Sequence, residues 1–270
     1  MDVAISGGSG FIGTAAAARL GRRGDEVRML KRGEVVIAAV NINLAGENIG
    51  RRWTRERKRG IVESRVETTS RIVDGRPRVL INASAVGFYG LRGDEVLDES
   101  APSGSGFLAE VTQQWEAAAH RADGFARVVI LRFGVVLARD GGALRQMMRP
   151  FRFGVGGPVG GGRQWMSWID REDAVRAIEW AVHNPEVRGT YNITAPEPVR
   201  NRDFARALGR AMHRPSLLPA PGFALRILFG EMADEMLLGG QRVVPARALR
   251  DGFTFRYPTL ESSLAANFAT

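Results

Sequence analysis

The sequence contains no cysteine, so disulfides and thiolate metal sites are excluded. Its three histidines, His120, His183 and His213, lie far apart and form no metal-ligand spacing. Lysine is nearly absent: of 38 basic residues only Lys31 and Lys58 are lysine. No apolar run approaches the roughly 20 residues of a membrane span, so no membrane partner is expected. The N-terminus reads as a strand and a turn without a basic leader, which predicts no signal peptide and a cytoplasmic protein. The net charge of +9 raises nucleic acid as a partner. The arginines are scattered, however, with one cluster at Arg51, Arg52, Arg55, Arg57, Lys58 and Arg59. The arginine-for-lysine skew reads as genome composition, and no docking motif accompanies it, so no nucleic-acid partner is expected.

What is present is a chain of 270 residues, 44% hydrophobic, long enough to bury a full core. Asp2–Ser6 is short, apolar and partly β-branched, as in a buried parallel strand. Thr14 to Arg23 is alanine-rich and closed by Gly24, which predicts a helix. Glu26 to Lys31 predicts a second strand, completing a β-α-β unit. Further strands are predicted over Val35–Leu44, Arg78–Ser84, Arg127–Phe133 and Tyr191–Thr194. Helices are predicted over Glu47–Val73, Phe107–Ala122, Asp170–His183, Asn201–Met212 and Gly222–Met236. The alternation predicts an α/β, Rossmann-type, doubly wound parallel sheet over 1–195. A smaller, mostly helical C-terminal region is predicted over 196–270. Gly154–Gly162, with six glycines in nine residues, suits a loop over a site, so 137–167 is expected to reach the substrate side.

The chemistry begins at Gly7-Gly8-Ser9-Gly10-Phe11-Ile12-Gly13. This spacing follows a predicted strand and opens a predicted helix, the context of a dinucleotide-binding turn. Glycines let the backbone approach a pyrophosphate, and the helix start offers N–H groups and positive potential. Gly7, Gly10, Phe11, Ile12 and Gly13 are therefore cofactor-binding candidates. NAD enzymes place a carboxylate at the end of the second strand. Here that position holds Lys31-Arg32. Two cations there either pair with a 2′-phosphate, making the cofactor NADP(H), or form an ordinary solvated loop.

Ser6 to Gly13 resembles the turn of extended short-chain dehydrogenase/reductases. Asn43–Ile49, Arg51-Arg52-Trp53, Ser84–Gly90, Trp115-Glu116 and Gly162–Ile169 together resemble one atypical branch, the nucleoside-diphosphate-sugar epimerase group. Gly230–Glu235 and Phe253–Thr259 resemble that branch's small C-terminal domain. The resemblance implies that Ala45, Gly46, Glu47 and Asn48 line the ribose and nicotinamide side of the cofactor. It implies that Ser84 polarises a substrate carbonyl or hydroxyl; the alternative is a small residue chosen for close packing. Gln164, Trp165 and Ser167 combine hydrogen-bonding groups with an aromatic, which suits a polar ring, or anchor their loop.

The wider superfamily transfers hydride with Tyr-x-x-x-Lys, the lysine lowering the tyrosine pKa. This chain cannot form that motif: Val27 stands four residues before Lys31 and Thr54 four before Lys58. Tyr89, Glu110 and Glu116 are the candidate replacements, with Tyr89 alternatively a packing residue. Two readings follow. One is an NADP(H)-binding oxidoreductase or epimerase acting on a small polar substrate, nucleotide sugars among the candidates. The other is a non-catalytic NADP(H)-binding sensor or scaffold. One segment departs from the branch. Arg32-Gly33-Glu34 is too short for a parallel crossover, where relatives carry a further strand and helix. The stretch near Asp74-Gly75-Arg76 is shorter than in relatives as well.

Overall fold

The computed structural model describes residues 1–31, 33–34 and 36–269. The first half of the chain runs β1 (Asp2–Ser6), α1 (Gly13–Arg22), β2 (Glu26–Leu30), β3 (Val40–Asn43), α2 (Arg55–Asp74) and β4 (Val79–Ala85). A 3₁₀ turn over Val86–Tyr89 leads to β5 (Val96–Leu97), α3 (Phe107–His120), β6 (Arg127–Phe133), β7 (Val135–Ala138) and α4 (Gly142–Arg152). Then come β8 (Trp165–Met166), β9 (Trp168–Asp170), α5 (Arg171–His183), β10 (Gly189–Ile193), β11 (Val199–Arg200) and α6 (Asn201–Met212). The C-terminal stretch holds α7 (Gly222–Phe229), a π-helical turn (Ala233–Leu238), β12 (Arg242–Val243), α8 (Ala246–Arg250) and α9 (Leu260–Phe268).

Six strands form one parallel sheet in the order β10-β6-β4-β3-β1-β2. Both faces are covered by helices, and apolar residues of the central strands, Val3, Ile5, Ile42, Leu80, Ile81, Val129, Ile130 and Leu131, are fully buried, with Asn41, Asn43, Asn82, Ser84 and Arg132 buried among them. A second core gathers Leu137, Leu144, Met148, Phe151, Met166 and Trp168 against Phe204, Leu208, Leu260 and Leu264. Residues 137–168 are thereby joined to the C-terminal helices rather than to the sheet alone.

Three local expectations change. β3 begins at Val40, since Asn41 turns its Nδ2 back to the Ala38 carbonyl at 3.0 Å. Val35, placed in this strand by its sequence, lies outside the described residues. β2 and β3 are not direct neighbours; each pairs with β1 from opposite sides, and the described residues between them form no helix. β2 is consequently the edge of the sheet. The helix predicted from Glu47 starts only at Arg55, where Thr54 Oγ1 accepts from the Arg57 N–H at 3.2 Å. The Trp53 indole, donating to the Ile49 carbonyl at 2.9 Å, holds the preceding residues in a loop. The helix predicted over Gly222–Met236 is interrupted at Gly230, whose φ of 61° favours glycine.

Candidate cofactor site

β1 lies between β2 and β3, so the chain reverses its direction of travel across the sheet beside β1. In such sheets ligands bind at the carboxyl ends of the strands flanking the reversal. The Gly7–Gly13 turn stands there. Gly7 has φ 76°, and a side-chain carbon on it would lie 2.6 Å from the Leu44 carbonyl. A carbon on Gly13 would lie 2.3 Å from the Gly7 oxygen, so α1 packs directly on the turn. The N-cap of α1 is Ile12, which supplies no capping side chain, and the first turn holds no acid. The helix start is thus left open to an anion. The Ser6 hydroxyl, at the end of β1, is buried without a hydrogen-bond partner. These observations fit a dinucleotide. Phe11 does not face this cradle alone: its ring packs on Gly141 and Gly142, with the Arg171 guanidinium 4.9 Å above it.

At the end of β2, Lys31 is exposed. Its N–H donates to the Glu34 carboxylate at 2.9 Å, so a cation and an anion share the turn. Arg32 lies outside the described residues. A further cation arrives that the sequence reading did not single out: Arg71 of α2 stands 3.8 Å from the position a side-chain carbon on Gly33 would take.

The Ala45–Asn48 loop follows β3 and borders the crevice. The Ala45 N–H donates to Asn43 Oδ1 at 3.2 Å. Asn43 is fully buried and donates to both Thr69 Oγ1 and Asn82 Oδ1 at 2.8 Å. Arg65 reaches over from α2 and donates to the Glu47 carbonyl at 3.1 Å, with its guanidinium against Gly46. Burial lowers the Arg65 pKa to about 10, because desolvation outweighs the attraction of Glu47. Glu47 also lies 3.5 Å from the Arg57 guanidinium. Asn48 turns its side chain to the Gly50 N–H at 2.7 Å.

The candidates for chemistry lie one layer deeper. Ser84 is buried, and its hydroxyl donates to Glu116 at 2.5 Å. Glu116 is paired with Arg132 through two bonds of 2.8 and 2.7 Å, and both side chains are at least 94% buried. Arg132 Nη1 donates to the Tyr89 hydroxyl at 2.9 Å, and that hydroxyl donates to Asn192 Oδ1 at 2.7 Å. Tyr89 is fully buried; burial raises its pKa, against the opposing pull of Arg132. Ser84, Glu116, Arg132, Tyr89 and Asn192 therefore form one continuous chain of bonds. The acid/base role proposed for Tyr89 is at odds with this placement, since its hydroxyl has no free face. Glu110, the third candidate, is exposed on α3.

On the C-terminal side, Gln164 Nε2 donates to the Val159 and Leu237 carbonyls at 3.1 and 2.7 Å. Ser167 is buried; its hydroxyl donates to the Gln241 carbonyl and accepts from the Val243 N–H, both at 2.8 Å. Both residues thus hold the loop to the C-terminal segment. Trp165 differs. Its indole donates to Asp94 at 2.8 Å, and the guanidiniums of Arg200 and Arg242 lie over its ring at 4.0 and 4.5 Å.

Comparison with known proteins reads this geometry in one way. The profile of the NAD dependent epimerase/dehydratase family matches residues 3–194. The chain belongs to that family. A domain of unknown function, DUF1731, matches residues 220–266 of this epimerase-family chain. Among its relatives is an epimerase family protein of Mycobacterium bovis, 42% identical over 289 residues that cover 97% of this chain and 96% of the relative. The chloroplastic SDR39U1 homolog of Arabidopsis thaliana is 40% identical over 300 residues, 98% of this chain and 86% of the relative. Both alignments are longer than the 270-residue chain, so these relatives carry residues that this family member lacks. The crystal structure of human epimerase family protein SDR39U1 with NADPH superposes with a TM-score of 0.94 at 34% identity, covering 99% of each chain. MoeE5 in complex with UDP-glucuronic acid and NAD, 19% identical with a TM-score of 0.80, shares the fold over 99% of this chain and 98% of its own.

α3 of this epimerase-family chain carries neither tyrosine nor lysine. Leu108, Thr112 and Glu116 recur at helical spacing on one of its faces. The Leu108 side chain lies against Gly87, just past β4. The Thr112 hydroxyl donates back to the Leu108 and Ala109 carbonyls at 2.9 Å. Only Glu116 carries a proton-transferring group, and it belongs to the Ser84–Arg132 network.

Proposed function

We propose that this chain holds NADP(H) in the Gly7–Gly13 cradle as a non-catalytic binding protein, a sensor or scaffold. One observation carries the reading: the Ser84, Glu116 and Tyr89 groups are all spent on one buried network around Arg132. A phenol whose pKa is raised and whose hydroxyl is enclosed is a poor base near neutral pH. The relative crystallised with NADPH supports the choice of cofactor, as does Lys31 at the end of β2. When bound, NADPH supplies a hydride donor; the residues described here orient its phosphates and ribose. Fluorescence titration tests the reading. NADPH is expected to saturate at one equivalent, and Gly13→Ala is expected to weaken binding about a hundredfold. Absence of saturable binding in the wild type would sink the proposal.

A second reading is favoured by Trp165. Its ring lies under Arg200, which is paired with Asp94 at 2.6 Å, and under Arg242, so an aromatic surface beside the Arg242 guanidinium suits a small polar anion such as a nucleotide sugar. Under this reading the chain is an NADP(H)-dependent oxidoreductase or epimerase. It requires a turnover product, and product formation that disappears in Trp165→Ala would favour it over the first.

A further inference from the structure

A second surface of the molecule adjoins the cofactor site without lining the Gly7–Gly13 cradle. α7 reads Gly-Phe-Ala-Leu-Arg-Ile-Leu-Phe and buries none of its residues. Phe223 and Ile227 are each 69% exposed and Leu228 61%. Phe223 and Ile227 stand one turn apart and so share a face. An amphipathic helix ordinarily buries its apolar stripe; this one rests half-buried Phe229 on the core, with Leu225 also half-buried, and leaves a second apolar face outward.

The neighbour of that helix is the basic cluster noted in the sequence. Arg52 Nη1 donates to the Ile227 carbonyl at 3.3 Å, which sets the start of α2 beside the end of α7. The fold sorts the cluster into two groups. Arg57 and Lys58 turn inward, Arg57 to the Asn48 carbonyl and Glu47, Lys58 to Glu231 and the Phe107 ring. Arg51, Arg55 and Arg59 remain exposed, and among the described residues no carboxylate lies within ion-pair distance of them. Arg55 and Arg59 are one turn apart on α2. Cations at a helix start oppose its macrodipole. Here Arg55, Arg57, Lys58 and Arg59 crowd the first turns with Glu56 as the one acid there. A layer of anions over this end would relieve the repulsion.

We propose that α7 and the start of α2 form one docking face for the surface of an anionic lipid bilayer. Phe223, Ile227 and Leu228 enter the interfacial layer, while Arg51, Arg55 and Arg59 meet headgroup phosphates. The lack of a spanning segment does not bear on this, because the helix lies on the surface rather than through it. Charge complementarity selects the occupant. A second copy of a chain with net charge +9 would set these arginines against their own kind. Nucleic acid would answer the arginines and leave the apolar face uncovered.

Sedimentation of the full chain with phosphatidylcholine vesicles, with and without phosphatidylglycerol, tests the proposal. The wild type is expected to pellet with the phosphatidylglycerol vesicles, less so as salt is raised, and to stay in solution with neutral ones. Each arginine is expected to strengthen binding about fivefold, so Arg55→Ala/Arg59→Ala should weaken it about 25-fold. Phe223→Ser/Ile227→Ser should weaken it as well. NADPH binding should be unchanged in both variants, since the substituted side chains are exposed. The proposal is overturned by a wild type that ignores anionic vesicles, or by variants that pellet as it does. It is equally overturned by a dimer in solution that Phe223→Ser dissolves, or by duplex DNA binding indifferent to Phe223→Ser.

Discussion

The Ser84 hydroxyl and the Glu116 carboxylate meet at 2.5 Å in the interior, 32 residues apart in sequence, with Arg132 closing the charge. Breaking this arrangement at different points should have unequal effects. Glu116→Ala leaves the Arg132 guanidinium buried without its counter-ion and is expected to cost about 3–5 kcal/mol. Ser84→Ala removes one hydrogen bond and is expected to cost about 1 kcal/mol. Chemical denaturation checks both, and NADPH affinity of the folded Ser84→Ala protein should match the wild type.

The turn itself makes a steric prediction. A methyl group on Gly13 meets the Gly7 oxygen at 2.3 Å and forces α1 away from β1. Gly13→Ala is therefore expected to weaken NADPH binding by about a hundredfold, ~3 kcal/mol. Gly21, with nothing within 4 Å of the added carbon, is the matched control and should tolerate alanine.

Cofactor choice should respond to the two charges at residues 31 and 34. Lys31→Ala is expected to lower the preference for NADPH over NADH about fivefold, the effect of one exposed charge pair near 1 kcal/mol. Glu34→Gln is expected to move the preference the other way, because it removes the anion bonded to the Lys31 N–H. Competitive titration of the two cofactors reads both changes.

Asp25 gives a pH prediction. Burial alone would raise its pKa, but the hydrogen bond from the N-terminal ammonium and the proximity of His183 together hold it below the ordinary 3.8. A depressed carboxylate contributes stability above its unfolded pKa and loses it as pH falls through the folded value. Asp25→Asn should therefore be less stable than the wild type at neutral pH. The difference should close as pH falls through 3.8 and below. Thermal melts across that range check it.

The β1–turn–α1 unit was legible because it is local: a buried apolar strand, glycines at fixed spacing and an alanine-rich helix lie within 25 residues of each other. β6 and α6 were placed by their apolar periodicity with the observed limits. The short strands β5, β8, β9, β11 and β12 were not, since two or three residues carry no period and exist only through distant partners such as Ser167 to Val243. The start of α2 was misplaced because the helical period was carried back to Glu47 across Asn48 and Gly50, poor helix formers, while Trp53 and Thr54 enforce a loop and a cap. At the candidate site, the cradle glycines could be named from spacing. The Ser84–Glu116–Arg132–Tyr89 network could not, because it joins four separate elements whose packing no local pattern records. Arg71 and the solitary Ser6 hydroxyl were missed for the same reason.

The central claim is that the cofactor is held without being used. Chromatography with mass detection, after incubating the NADP(H)-loaded protein with a panel of nucleotide sugars and small carbonyl compounds, tests it most directly. Every compound is expected to return unchanged. A reduced or epimerised product that forms with the wild type and vanishes with Tyr89→Phe would contradict the account.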